Sequence, residues 1–300
     1  MRRTRLLLAA VVIVLAFSCL GHTADSKFSV VDQVGNVVTL DEIPARIVSL
    51  APGNTEILYA LGLADNIVGV STYCDYPQEA LEKPKIGGFS DVSIEAIVAL
   101  EPDVVFATGG VQDEAAQRLT QLGIKVITLD ATSFNEVLAG IKLAGQVTGR
   151  KEIAQHLLTE MKTRVEAVQS AVQPWAMEKP RKVFYEVWYD PPISVGPGSF
   201  IHDLIELAGG VNIMADSDSS YPIANLEEII HTDPDVIIYA HGAMSTAQVA
   251  DRDGWRQMEA VRTGRVVALE DENILVRPGP RIIEGLEVLA ESIYPEAFAQ

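Results

Sequence analysis

Three hundred residues exceed the needs of one ordinary domain, and 48% of them are hydrophobic, enough for a sizeable core in each of two lobes. Asp and Glu number 41 against 23 Lys and Arg, a formal charge of −18 that opposes nucleic-acid binding and gives a solvated acidic surface. There are two cysteines, Cys19 in the N-terminal apolar segment and Cys74, so a disulfide framework is excluded and packing must hold the fold.

Residues 1–24 have the layout of a secretory signal: Arg2, Arg3 and Arg5 precede the apolar run Leu6 to Phe17, which is short for a membrane span. Arg5 stands where a twin-arginine signal has an apolar residue. Ala16-Phe17-Ser18 before Cys19 forms an imperfect lipobox, which would make Cys19 a lipidated first residue. Cleavage after Ser18, Gly21 or Ala24 would release an unanchored protein instead. Both outcomes stay open, and both put the folded part outside the inner membrane. Loss of the three arginines leaves 20 basic residues against 41 acidic ones, a charge of −21.

Phe28 to Leu40 alternates around Gly35-Asn36 and predicts a hairpin that packs at an edge. Arg46 to Leu50 is the first buried strand; Asn54 or Thr55 caps the helix after it, and Gly62 ends that helix. Ile67 to Val70 is the next strand and leads into the loop Tyr73-Cys74-Asp75-Tyr76-Pro77. Ser93 to Gly110 (SIEAIVALEPDVVFATGG) recurs without a gap as Asn225 to Gly242 (NLEEIIHTDPDVIIYAHG), each copy a capped helix stopped by a proline, Pro102 or Pro234, and followed by a continuous β-branched strand. Between the copies come a helix from Gln112 to Leu122, the strand Val126 to Leu129, and helical sequence from Ser133. Arg150 to Val172 carries an apolar stripe (Leu157, Leu158, Met161, Val165, Val168) and is the connector, ended by Pro174 and Pro180. The strand Lys182 to Trp188, a helix capped by Ser199, the loop with Tyr221, the strand Arg265 to Leu269 and a final helix opened by Arg277-Pro278-Gly279-Pro280 complete the chain.

This alternation means mostly parallel sheets with helices on their faces, and the repeat means two related lobes. The fold class is α/β: two Rossmann-like lobes joined by a single long helix, with a ligand cleft between them. Residues 28–145 form the first lobe, 146–172 the linking helix and 173–300 the second lobe.

Ligands of such sheets sit beyond the carboxyl ends of the strands. In lobe one those positions hold Ala51-Pro52, Tyr73 to Tyr76, Thr108-Gly109-Gly110 and Asp130, with Phe89 before a helix; in lobe two they hold Trp188-Tyr189, His241-Gly242 and the Asn273 to Arg277 loop, with Tyr221 before a helix. Aromatic residues make up only 6% of the chain, so Tyr73, Tyr76, Phe89, Trp188, Tyr189 and Tyr221 on these loops point as a set to a large, flat, partly apolar ligand. Any single one of them could equally anchor its own loop.

Enzyme templates fit poorly: the Gly196 to Ile201 stretch lacks the third glycine of a dinucleotide fingerprint, and Ser199 is better explained as a helix cap. Outside the signal, His156, His202, His231 and His241 have no metal-ligand spacing; surface or cap roles suit the first three, while His241 could ligate a metal carried by the ligand. Cys74 reads as a small buried residue. Asp75 and Arg277 are the charged residues of the cleft rim, and Arg277 would bind carboxylate, phosphate or amide oxygens unless paired with Glu270 or Asp271.

The segments RIVSLAPGNTE (46–56), IVGVSTYCDYP (67–77), SIEAIVALEPDVV, GIKVITLDAT (123–132) and DPPISVG (190–196) resemble the substrate-binding proteins of ABC importers for cobalamin and iron-siderophores, in order from about Phe28 onward. TYCDYP and the DATS at Asp130 to Ser133 resemble the vitamin B12-binding branch most. The resemblance implies ligand held between the lobes by Tyr73, Phe89, Tyr221 and Arg277. It also implies docking of Glu95 and Glu227, one per repeat copy, to arginines of the membrane permease. Tryptophans of that branch appear here as Phe89, Thr108 and Tyr221, an altered stacking surface. The expectation is therefore a monomer without cofactor or catalysis that delivers a corrinoid to an ABC importer permease and meets the membrane only through a lipid anchor. Haem or a ferric siderophore is the alternative cargo; haem would need an axial ligand such as Tyr73, Tyr76 or His241. A sensor ectodomain or enzyme is the alternative class: the first needs a span after Gln300, the second a nucleophile and base.

Overall fold

The computed structural model describes residues 27–299. The signal segment and Cys19 lie outside the described residues. Strands β1 (Phe28–Val31) and β2 (Val37–Leu40) form the expected hairpin. Its turn is pinned to the first lobe: Asp32 Oδ2 accepts from Thr128 N, and Gln33 Nε2 donates to the Glu136 carbonyl.

Strand β3 (Ile47–Ser49), helix α1 (Pro52–Ala60), β4 (Ile67–Val70), α2 (Ile94–Ala99), β5 (Val104–Thr108), α3 (Asp113–Gln121), β6 (Val126–Leu129) and α4 (Phe134–Val147) make lobe one. Its sheet is parallel throughout in the order β4-β3-β5-β6. After the long helix α5 (Lys151–Glu178) come β7 (Arg181–Glu186), β8 (Trp188–Tyr189), β9 (Pro192–Ile193), α6 (Phe200–Leu207), β10 (Gly210–Asn212), α7 (Leu226–Thr232), β11 (Val236–Tyr239), α8 (Thr246–Ala250), α9 (Glu259–Arg262), β12 (Val266–Ala268), α10 (Asn273–Val276) and α11 (Ile282–Ile293). The second parallel sheet has the matching order β10-β7-β11-β12.

The repeat is a structural duplicate down to single bonds. Ser93 and Asn225 both cap their helices, accepting from Ala96 N and from Glu227 N and Glu228 N respectively. Glu101 and Asp233, each just before the helix-stopping proline, both take the left-handed conformation (φ 46° and 50°), in line with the bar on right-handed helix before proline. Asp103 then accepts from Ala45 N and Arg46 N, and Asp235 from Lys182 N, so each copy is tied to the neighbouring central strand.

Alternation along the strands buries both sheet faces, as a parallel sheet requires. In lobe one Ile47, Val104, Phe106 and Ile127 face one way, while Val48, Val105, Ala107 and Val126 face the other. The first set belongs to a continuous core with Val183, Tyr185, Val236 and Ile238 of lobe two. Helix α5 carries that continuity through Ala154, Leu158, Met161, Val165, Val168 and Val172. A bond from Phe134 N to Asp203 Oδ2 adds a direct tie between the lobes.

Three local expectations are corrected. Helix α5 begins at Lys151 and runs through Pro174 to Glu178; the missing N–H and ring clash that usually stop a helix are outweighed by packing of the last turns, where Ala176 reaches the core. Neither Asn54 nor Thr55 caps α1. Ala51 is the N-cap and Pro52 sets the first turn, while Asn54 donates to the Ala107 carbonyl and the Thr55 hydroxyl is hydrogen-bonded with Ser49 Oγ and Cys74 Sγ, all buried. The strand expected to reach Trp188 ends at Glu186, and Trp188 starts the short antiparallel hairpin β8–β9.

Candidate functional site

The C-terminal ends of β3, β4 and β5 carry three loops that meet α10 and the segment after it. Together they enclose a cavity of about 450 Å³, lined by Ala51 to Asn54, Tyr73, Phe89, Ser90 and Thr108 from lobe one and by Asn273, Val276, Arg277 and Pro278 from lobe two. The lobes meet closely here: a Cβ on Gly53 would stand 3.0 Å from the Pro278 carbonyl. Tyr73 is exposed and Phe89 half-buried. Buried Gln112 holds the wall together, donating to the carbonyls of Leu50 (3.0 Å) and Phe89 (2.8 Å) and accepting from Thr108 N (2.9 Å). Gly109, beside Thr108, leaves room for Asp130: a Cβ would lie 2.5 Å from that carboxyl carbon. Burial, with Asp113 and Glu136 nearby, raises the Asp130 pKa.

Arg277 pairs with neither Glu270 nor Asp271. Its Nη1 donates across the cleft to Asp75 Oδ1 and to Glu56 Oε1. Arg281, one turn further on, donates to both oxygens of Glu56 (3.0 and 2.7 Å) and to Asp271 (3.0 Å), and stacks its guanidinium 3.9 Å from the Tyr76 ring centre. The Glu56 side chain is only 2% exposed. The hydrogen bond from Arg277 lowers the Asp75 pKa against the opposing effect of burial. For Arg277 and Arg281 burial disfavours the charge, but the carboxylate bonds prevail and raise both pKa values. Tyr76 therefore serves this ion cluster and faces a second groove of about 900 Å³ between α1, α5 and α11. Cys74 is fully buried against Thr55 and Ser71.

The lobe-two residues form a separate cluster. Trp188 and Tyr189 on β8 pack over His241, with ring centres 6.1 and 5.6 Å from it. His241 is buried, its Nε2 2.7 Å from Glu186 Oε1, and its Nδ1 is buried without a hydrogen-bond partner. Glu186, wholly buried at the end of β7, also accepts two bonds from Arg252. Tyr221 is exposed on a loop held by Gly196, where a Cβ would meet the Ser219 carbonyl at 2.4 Å. The structure thus brings Tyr73, Phe89 and Arg277 into one cavity, gathers Trp188, Tyr189 and His241 in another group, and leaves Tyr221 apart from both. His202, expected at the surface or as a cap, is buried and bonded to Asn212. No group of metal-binding side chains occurs among the described residues.

Glu95 and Glu227 occupy the same position in the first turns of α2 and α7, and both are exposed. Glu56 and Gln112 escaped the sequence reading. Gln112 reaches the carbonyls of Phe89 and Leu50, 23 and 62 residues away, and Glu56 reaches Arg277 and Arg281, 221 and 225 residues away, relations that local patterning does not encode.

Two matching parallel-sheet lobes bridged by one helix, with a cavity between the strand ends, define a two-lobed α/β protein with the geometry of a ligand-binding protein. Residues 47–272 match the periplasmic binding protein family. An uncharacterized ABC transporter substrate-binding lipoprotein of Bacillus subtilis is 36% identical over 98% of this chain and 97% of its own. The crystal structure of the periplasmic vitamin B12 binding protein of Vibrio cholerae is similar with a TM-score of 0.72 and 30% identity, covering 86% of this chain and 99% of that one. A periplasmic heme-binding protein in complex with two hemes gives 0.75 and 25%, covering 85% and 99%. The chain belongs to the periplasmic binding protein family and is a substrate-binding protein of an ABC importer.

Proposed function

We propose that this protein captures a corrinoid, with cobalamin as the leading candidate, between its lobes and delivers it to an ABC importer permease, making and breaking no bond in the cargo and using no cofactor. The observation that carries the reading is the cavity at the strand ends, walled by Tyr73, Phe89 and apolar backbone turns from both lobes, with Arg277 as the one charged lining residue among the described residues. Aromatic faces and a few fixed donors suit a broad macrocycle with a polar rim. Likeness to the vitamin B12-binding protein supports the corrinoid in particular. Trp188, Tyr189 and Tyr221 would close on the other side of the ligand, with His241 supporting them from beneath. Glu95 and Glu227 would dock to basic residues of the permease, since paired like charges on two matching helices fix both register and encounter rate. The protein acts as a monomer in this account.

Titration with cyanocobalamin should quench Trp188 fluorescence, and the Trp188→Phe variant should lose that quenching while still binding. Unchanged emission and no binding at micromolar concentration would rule the corrinoid out. The likeness to a heme-binding protein sustains one second reading, in which Tyr73, exposed in the cavity, ligates haem iron; a Soret shift on haem titration that is lost in Tyr73→Phe would favour it.

A further inference from the structure

Five charged groups meet where the lobes touch: the guanidinium groups of Arg277 and Arg281 face the carboxylates of Glu56, Asp75 and Asp271. Two positive charges against three negative ones leave the cluster with net negative charge. The donors are unequally used. Arg281 spends Nε, Nη1 and Nη2 on Glu56 and Asp271. Arg277 spends only Nη1, and among the described residues its Nε and Nη2 donate to no protein acceptor. Arg277 also lines the cavity, whereas Arg281 lines the groove on the far side. Arg277 thus lines the cavity with Nε and Nη2 left unused by the protein and with its charge already offset by Glu56 and Asp75.

Building on the corrinoid reading, we propose that Asp75 is a specificity-determining residue: with Glu56 it turns Arg277 into a hydrogen-bond donor without net positive charge, so the cleft takes ligands rimmed by carboxamides and disfavours those rimmed by carboxylates. A carboxamide oxygen at Nε and Nη2 gains the hydrogen bonds and loses little hydration. A carboxylate there must shed more water and lies beside Asp75 on the same guanidinium, so repulsion selects against it. Buried Glu56 cannot rehydrate and stays fixed, while the Asp75 side chain is 51% exposed and is the adjustable member of the pair.

The test uses the mature chain and two matched ligand pairs: cyanocobalamin with its monocarboxylic acids, in which one peripheral amide is hydrolysed, and haem with its bis-amide. Wild type should bind the amide member of each pair about tenfold more tightly. Asp75→Asn should narrow that gap about fivefold, chiefly by strengthening the acid member. Asp75→Ala, which removes the hydrogen bond as well, should behave as Asp75→Asn does. An equal gap in wild type and both variants, or a wild-type preference for the acids, overturns the proposal. If wild type binds only the haem pair, the corrinoid reading fails and the haem pair alone decides the filter. Binding of none of the four ligands overturns both.

Discussion

Replacing Glu56 by alanine removes a buried carboxylate that joins the lobes. Glu56 accepts two bonds from Arg281 and one from Arg277, and its side chain is 2% exposed. Breaking a buried ion pair by deleting one member costs about 3–5 kcal/mol, because the remaining charge stays buried and uncompensated. Here Asp271 still holds Arg281 and Asp75 still holds Arg277, so the lower end, about 3 kcal/mol, applies. Glu56→Gln keeps the volume and one acceptor and should cost roughly half of that. Urea unfolding followed by far-ultraviolet dichroism and by fluorescence provides the assay. All three tryptophans, Trp175, Trp188 and Trp255, lie on α5 or beyond it, so fluorescence reports the linking helix and lobe two while dichroism reports the whole chain. The alanine variant should lower the midpoint and pull the two transitions apart, since the lost bonds connect the lobes. A loss below about 1 kcal/mol with coincident transitions would refute the role given to Glu56.

Gly196→Ala would push a Cβ to 2.4 Å from the Ser219 carbonyl; the backbone must move, costing about 1–3 kcal/mol by thermal denaturation and shifting the Tyr221 loop, and an unchanged melting temperature would contradict this. The double variant Glu95→Ala, Glu227→Ala should cut delivery to the permease more than about tenfold in a reconstituted uptake assay, with ligand affinity retained; lost affinity would argue against docking. Asp75 has a folded pKa below its unfolded value of about 3.9, so its contribution is present above that value and lost as pH falls through the folded one. Being half-exposed, it adds at most about 1 kcal/mol. The stability difference between wild type and Asp75→Asn should therefore shrink from about pH 6 to about pH 3; a difference that grows would reverse the assignment.

The parts of the fold that local physics dictates were legible in the sequence. Ser93 and Asn225 announce their helices by cap chemistry, Ile67–Val70 is a strand to the residue, and the gapless repeat gives both lobes the same strand order. Tyr73 was legible as a strand-end residue of a parallel sheet, and it lines the cavity together with Phe89, which the sequence placed before a helix. Long-range relations were not. The partners of Arg277 lie 202 and 221 residues earlier, whereas the sequence offered only the nearby acids Glu270 and Asp271 as possible protein partners beside a ligand role. Pro174 shows the same limit from the other side: intrinsic propensity marks a stop, and core packing around Val172 and Ala176 carries the helix past it.

The most direct test of the central claim is calorimetric titration of cyanocobalamin into the purified mature chain, with haem and a ferric siderophore titrated in parallel. Saturable one-to-one binding of the corrinoid, tighter than either competitor, is the predicted result. No corrinoid heat at micromolar protein together with saturable binding of haem or the siderophore would contradict the account.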